Sequence, residues 1–252
     1  MVKVVIPVYR EEIKDCERDS LRNTVKKFAA YPIVFIKPWG MQPGAWAEEC
    51  PQAEWIEVTD DWLGTKRGIQ GYNAMMMSAA FYELFPDTEY ILICHLDAWI
   101  FDGQLTDWCR KGYDIVAAPW PTRPLYNHFP FKQYLRWKQQ KAKAQGHIVR
   151  SMMYGRIGNG GLCLRRVEAF KNACTRYAQE AVHFLSEAET DEVYNEDIFW
   201  ALIPKEFHYP PVDEALRFAF DLKPALCYRL NHHRLPMGCH GYMHRSRHVS
   251  IN

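Results

Sequence analysis

The sequence predicts an α/β fold. Strand and helix signals alternate through its first half, an apolar strand ends on a lone acid, and a glycine-rich turn precedes a further strand. The alternation begins with Val4-Val5-Ile6-Pro7-Val8, a short β-branched run that stops at Tyr9-Arg10-Glu11-Glu12. Cys16 to Phe28 follows as an amphipathic helix with Leu21, Val25 and Phe28 on one face. Ile33-Val34-Phe35-Ile36 is a second strand, stopped by Lys37-Pro38-Trp39-Gly40, and Glu54 to Val58 is a weaker third.

Gly68 to Phe85 reads as one long helix closed by Pro86. The most apolar strand, Tyr90 to Cys94, comes next, and Trp108 to Gly112 leads into another, Tyr113 to Ala118. Both are expected at the centre of the sheet. From 121 to 150 the character changes: Pro121, Pro124 and Pro130 precede a Lys- and Gln-rich stretch, Lys132 to Gln145, that reads as a solvated helix. We expect an insertion or acceptor-side lid there. After it come the Gly-rich turn from Gly158, a strand Leu162-Cys163-Leu164, a helix from Val167 to about Leu185, an acidic loop, and a helix around Asp197-Ile198-Phe199-Trp200.

The 252 residues suffice for one full hydrophobic core, and a formal net charge of +1 supplies no field for nucleic acid as a main partner. Eight cysteines lie far apart with no C-x-x-C pair, and the chain starts on a strand-like Val2 to Ile6 with no signal peptide, so a reduced, cytoplasmic protein is expected. No apolar run approaches the roughly 18 to 20 residues that span a bilayer. Peripheral contact with the inner face of the cytoplasmic membrane stays open, with Arg136, Trp137 and Lys138 in the stretch that would make it. The oligomeric state is not readable.

Four clusters carry chemistry. In open α/β sheets ligands bind outside the carboxyl ends of the strands, and Asp97 directly follows such an end. His95-x-Asp97 has the spacing of a D-x-D metal motif with His in the first place, although an acid after a buried strand is also a turn former or helix cap. The run Gly155-Arg156-Ile157-Gly158-Asn159-Gly160-Gly161 lets backbone approach a ligand closely, or makes a plain Asn-Gly hairpin. Glu196-Asp197 opens an apolar helix, where it can complement the helix dipole or supply a general base. His240, between Gly238-Cys239 and Gly241, is either a loop histidine or a late metal ligand.

The order of these clusters, together with Tyr72-Asn73, Phe81-Tyr82, Leu96-Asp97-Ala98, Ala117-Ala118-Pro119-Trp120 and Gly238-Cys239-His240-Gly241, resembles the GT-A glycosyltransferase fold. More closely, it resembles a bacterial family of candidate glycosyltransferases catalogued mainly as a domain of unknown function. The resemblance covers nearly the whole chain except 121–150. It implies a GT-A-like, Rossmann-related central sheet, mixed and mostly parallel, flanked by helices in a single domain spanning 1–252. Within it, 1–120 would be a nucleotide-binding half and 151–252 an acceptor-side and catalytic half.

The resemblance further implies that Pro7, Val8 and Tyr9 line the nucleotide pocket and that Asn73 faces it. Asp97 and His240 would hold Mn2+ or Mg2+, with His95 beside them as the departure from an acidic pair. Gly160 and Gly161 would lie against donor and acceptor. Glu196 and Asp197 match the acidic pair that supplies the base, and Asp197, nearer the helix body, is favoured. The implied activity is an inverting, hexosyltransferase-type transfer from a nucleoside-diphosphate sugar, most commonly a UDP-sugar, to a hydroxyl of a glycan or lipid-linked glycan, as in polysaccharide biosynthesis. Two other readings stand beside it. One is a non-catalytic nucleotide- or carbohydrate-binding protein with a degenerate site. The other is a nucleotidyltransferase, which normally carries a Gly- and Lys/Arg-rich signature that Pro7-Val8-Tyr9-Arg10-Glu11 lacks. The basic tail from His240 to His248 is either a flexible end or a segment that closes over the donor.

Overall fold

The computed structural model describes residues 1–189, 191 and 193–243, so most of the basic tail lies outside the described residues. Six strands form the main sheet: β1 (Val2–Pro7), β2 (Ile33–Pro38), β3 (Glu54–Val58), β4 (Tyr90–Cys94), β6 (Ile115–Ala117) and β7 (Leu162–Arg166). Their order is β3-β2-β1-β4-β7-β6. β1 pairs in parallel with β2 and β4, and β2 with β3, while β7 runs antiparallel to both neighbours. The sheet is thus mixed and mostly parallel, flanked by helices, as expected.

Both faces of the central strands are covered, which is why they read as continuous apolar runs rather than alternating ones. Val5, Ile91, Ile93 and Cys163 belong to the core on one face. Val4, Ile6, Leu92, Cys94 and Leu164 belong to the core on the other. β4 is central, as its composition demands. The strand expected over 113–118 is not: β6 is short and lies at the sheet edge, because β7 returns antiparallel and inserts between it and β4.

Two long helices expected from periodicity are each broken. Gly68–Met76 is separated from Ala79–Tyr82 by Met77 and Ser78, where Ser78 takes an extended backbone. Val167–Arg176 is separated from Ala178–Glu187 at Tyr177. The Lys- and Gln-rich stretch forms the helix Phe131–Ala144.

A second, three-stranded sheet has β9 (Gly238–His240) between β5 (Ala98–Ile100) and β8 (Ala219–Phe220). None of its strands exceeds three residues, too short to show a period. The helix Asp15–Lys27 anchors it: Asn23 Oδ1 accepts from the Ile100 amide at 2.8 Å, and the Ser20 hydroxyl donates to the Ala98 carbonyl. No helix among the described residues is long and apolar enough to cross a membrane. All eight cysteine thiols are free.

Candidate metal centre and cleft

The chain leaves β1 toward β2 on one side, while β4 lies on the other. The strand order therefore diverges between β1 and β4, and a crevice opens at their carboxyl ends. A cleft of about 650 Å³ occupies that place, lined among others by Pro7, Tyr9, Lys14, Tyr72, His95 and Asp97. Of the residues expected there, Pro7, Tyr9 and His95 line it, whereas Val8 is wholly buried in the core beneath. Asn73 is also buried and faces elsewhere. Its Nδ2 donates to Asn195 Oδ1 at 3.1 Å and its Oδ1 accepts from the Glu196 amide at 3.2 Å, so it ties down the start of the helix Glu196–Leu202.

Asp97 sits in the turn from β4 into β5, closed by a hydrogen bond from the Ala98 amide to the His95 carbonyl at 3.0 Å. It is a turn residue and a candidate metal ligand at once. The register of the small sheet sets Ala98 opposite His240, which brings a histidine from far along the chain beside this turn. His240 Nε2 lies 3.1 Å from Asp97 Oδ1. Candidate ligand atoms of His95, Asp97 and His240 all fall within 4.8 Å of one another.

The far side of the His240 ring meets another carboxylate, with Nδ1 3.4 Å from Asp221 Oδ1 at ion-pair range but without hydrogen-bond geometry. Asp221 in turn accepts from Asn159 Nδ2 at 2.8 Å, and Asn159 Oδ1 accepts from the Gly161 amide at 3.1 Å. Asp221 escaped the sequence reading. Its signal was present, since Phe218-Ala219-Phe220 is an apolar run ended by an acid just as β4 is.

Burial alone would lower the His240 pKa, but the flanking Asp221 and Asp97 carboxylates outweigh it and raise it to about 9. Burial would raise that of Asp97, yet the His240 contact holds it down at about 2. His95 behaves differently: burial first, then the His240 charge, pushes it down to about 4, so its ring is neutral near pH 7. Its Nε2 is 2.8 Å from the Tyr72 hydroxyl.

The glycines of the turn before β7 have a packing reason. The His95 amide donates to the Gly161 carbonyl at 2.8 Å, extending the β4–β7 ladder, and a Cβ on Gly161 would fall inside the His240 ring. A Cβ on Gly160 would collide with Glu196 Oε1. Neither position tolerates a side chain as the loop stands.

Glu196 is buried, with both carboxylate oxygens 2.9 Å from Arg165 Nη2. Arg165 also donates to the Tyr82 hydroxyl at 3.0 Å. The Glu196 oxygens are thus held by a buried cation. Asp197 lies next to Gly160, keeps part of its surface open, and has no such cation in contact among the described residues: burial, then the Glu196 charge, raises its pKa to about 7.

A family model described as "Protein of unknown function (DUF5672)" matches residues 52–240. The chain belongs to that family. No curated protein sequence matches it. Among solved structures, the galactosyltransferase LgtC in complex with donor and acceptor sugar analogs superposes with a TM-score of 0.55 at 14% identity, covering 94% of this chain and 86% of that one. The apo form of mouse xyloside xylosyltransferase 1 gives 0.52 at 13% identity over 95% and 96%. Core-mannan synthase A from Aspergillus fumigatus, in a Mn/GDP form, gives 0.54 at 8% identity over 80% and 68%. At such identities the likeness establishes the fold, and this DUF5672 protein has the GT-A glycosyltransferase fold.

Proposed function

We propose that this protein is a metal-assisted, inverting glycosyltransferase that moves a sugar from a nucleoside-diphosphate sugar, with UDP as the first nucleotide to test, to a hydroxyl of a glycan or lipid-linked glycan. The observation that carries the reading is the cluster of His95, Asp97 and His240 at the mouth of the β1–β4 cleft. Of Mn2+ and Mg2+, the donor set fits Mn2+ better, since Mg2+ prefers all-oxygen ligands: one ionised carboxylate, one neutral imidazole, and a second imidazole that gives up its proton on binding and whose far nitrogen faces a carboxylate. A cation held there supplies positive charge against a departing diphosphate.

In this reading Pro7, Tyr9 and Lys14 receive the nucleotide, with the ammonium of Lys14 facing phosphate. Asp197 takes the acceptor hydroxyl proton. The freed oxygen bonds to the anomeric carbon from the face opposite the diphosphate, and the bond to phosphate oxygen breaks with its electron pair on the leaving group. The configuration inverts. Glu196, held by Arg165, lies beside Asp197 and raises the proton affinity of that base.

The deciding experiment incubates the full chain with a panel of nucleotide sugars and glycan acceptors, with and without Mn2+, and assays the released products. Metal-dependent release of nucleoside diphosphate supports the proposal. Pyrophosphate release identifies a nucleotidyltransferase instead, and metal-dependent nucleotide binding without turnover identifies a binding protein.

A further inference from the structure

The segment from 121 to 150 leaves an unusual surface uncovered. The helix Phe131–Ala144 seats only one side on the body: Ala142 is buried, Leu135 and Gln139 are partly covered, and Gln139 Nε2 donates to the Ser151 carbonyl at 2.7 Å. Its other side bears Tyr134 and Trp137, each 57% exposed, and Phe129 just before the helix is 80% exposed. Tyr134 and Trp137 lie with ring centroids 6.1 Å apart, and Lys141 Nζ stands 5.6 Å over the Trp137 ring. Aromatic side chains of this size, side by side and in water, lose apolar contact that some partner would restore.

Charge narrows the partner. Between Asp114 and Glu168 the sequence contains no acidic residue, and this helix alone carries Lys132, Arg136, Lys138, Lys141 and Lys143. The whole chain is nearly neutral at +1, so the basic excess is local. Cationic side chains interleaved with Trp, Tyr and Phe suit an interface where aromatic rings enter the headgroup layer and lysines meet anionic phosphates. A second copy of this chain fits poorly, because a symmetric contact would oppose like charges with no acid to pair them.

We infer that Phe129, Tyr134, Trp137, Lys138 and Lys141 form a docking surface for an anionic lipid bilayer. The helix rests on the short turn Arg150–Met153, which packs against the helix that begins with Glu196 and Asp197. The surface binds lipid whether or not the cleft transfers a sugar, so the test uses neither donor nor acceptor.

The full chain is sedimented with vesicles of phosphatidylcholine alone and of phosphatidylcholine with phosphatidylglycerol, at low and high salt. Binding is expected on the anionic vesicles only, lost at high salt, and reduced about fivefold for each lysine removed. The double variant Lys138→Glu/Lys141→Glu should fail to sediment, and Tyr134→Ser/Trp137→Ser should bind more weakly at every lipid concentration. Circular dichroism and the thermal midpoint check that each variant folds, and Phe129→Ser, the most exposed change, replaces any that does not. Equal sedimentation with both vesicles, or wild-type sedimentation of the variants, overturns the inference. Tighter binding to a polyuridine RNA than to the anionic vesicles assigns the surface to nucleic acid, and variants that abolish self-association without changing lipid binding assign it to a second copy. Either result also overturns it.

Discussion

The imidazole of His240 occupies the volume that a Cβ on Gly161 would fill. Gly161→Ala must therefore displace the ring or the loop. Overpacking of this kind costs about 1–3 kcal/mol. The larger effect falls on the candidate metal cluster, because the displaced ring loses its place beside Asp97. Mn2+ affinity measured by calorimetry should drop about 10- to 100-fold while circular dichroism stays that of the native protein. Wild-type affinity in this variant would remove His240 from the metal site.

Asp97→Ala removes the only carboxylate in the cluster. Nucleotide binding should become indifferent to Mn2+, as read by titration calorimetry with and without the ion. Asp221→Asn is milder. It leaves the three candidate ligands in place but takes the charge from behind His240, so metal affinity should fall within the same 10- to 100-fold range. Nucleotide affinity in chelator should not move.

In the proposed reaction Asp197 sets the pH profile. Its folded pKa of about 7 lies above the ordinary 3.8, so it is protonated in the folded protein where the unfolded chain has already ionised. As a base it works only when deprotonated, and kcat/KM should rise with pH through about 7. The same shift acts on stability in the opposite sense: the contribution of the protonated acid is fully present below 3.8 and is lost as pH rises through about 7. Asp197→Asn should abolish transfer, leave donor binding nearly intact, and lose less stability than the native protein between pH 5 and 8 in thermal melts. Turnover at the native rate would dismiss Asp197 from the chemistry.

Arg165 and Glu196 are each other's charge compensation in a buried setting. Arg165→Ala strands the carboxylate and should destabilise the protein by about 3–5 kcal/mol in urea unfolding. Replacing both by methionine should restore a large part of that loss, because no buried charge then lacks a partner. A double variant as unstable as the single one would show that Arg165 acts through packing on Phe170, whose ring centroid its guanidinium carbon approaches to 5.0 Å.

Much of this was readable in advance. β1, β4 and β7 declare themselves through apolar runs that two covered faces require, and Asp97 through its place at a strand end. The second sheet was invisible, since strands of two or three residues carry no period and its members come from distant parts of the chain. Asp221 ends an apolar run just as Asp97 does, but nothing local joins it to His240 until β8 and β9 pair. The edge position of β6 depended on where β7 inserts, a long-range choice that local pattern does not encode. Arg165 lay in plain view beside the glycine loop, but a strand arginine gives no local sign that it will be buried against an acid 31 positions later. Asn73 was expected in the nucleotide pocket, whereas its hydrogen bonds go to the start of the Glu196 helix.

The small sheet also imposes an order in time. Every strand of the large sheet has been synthesised once residue 166 is made, whereas His240 comes later, on the last of the described strands. A nascent chain can settle most of its core around β1, β4 and β7 while the turn at Asp97 still lacks its histidine. On the proposed reading, ion capture waits for β9, so a chain cut short before it would keep the large sheet but lack the third candidate ligand.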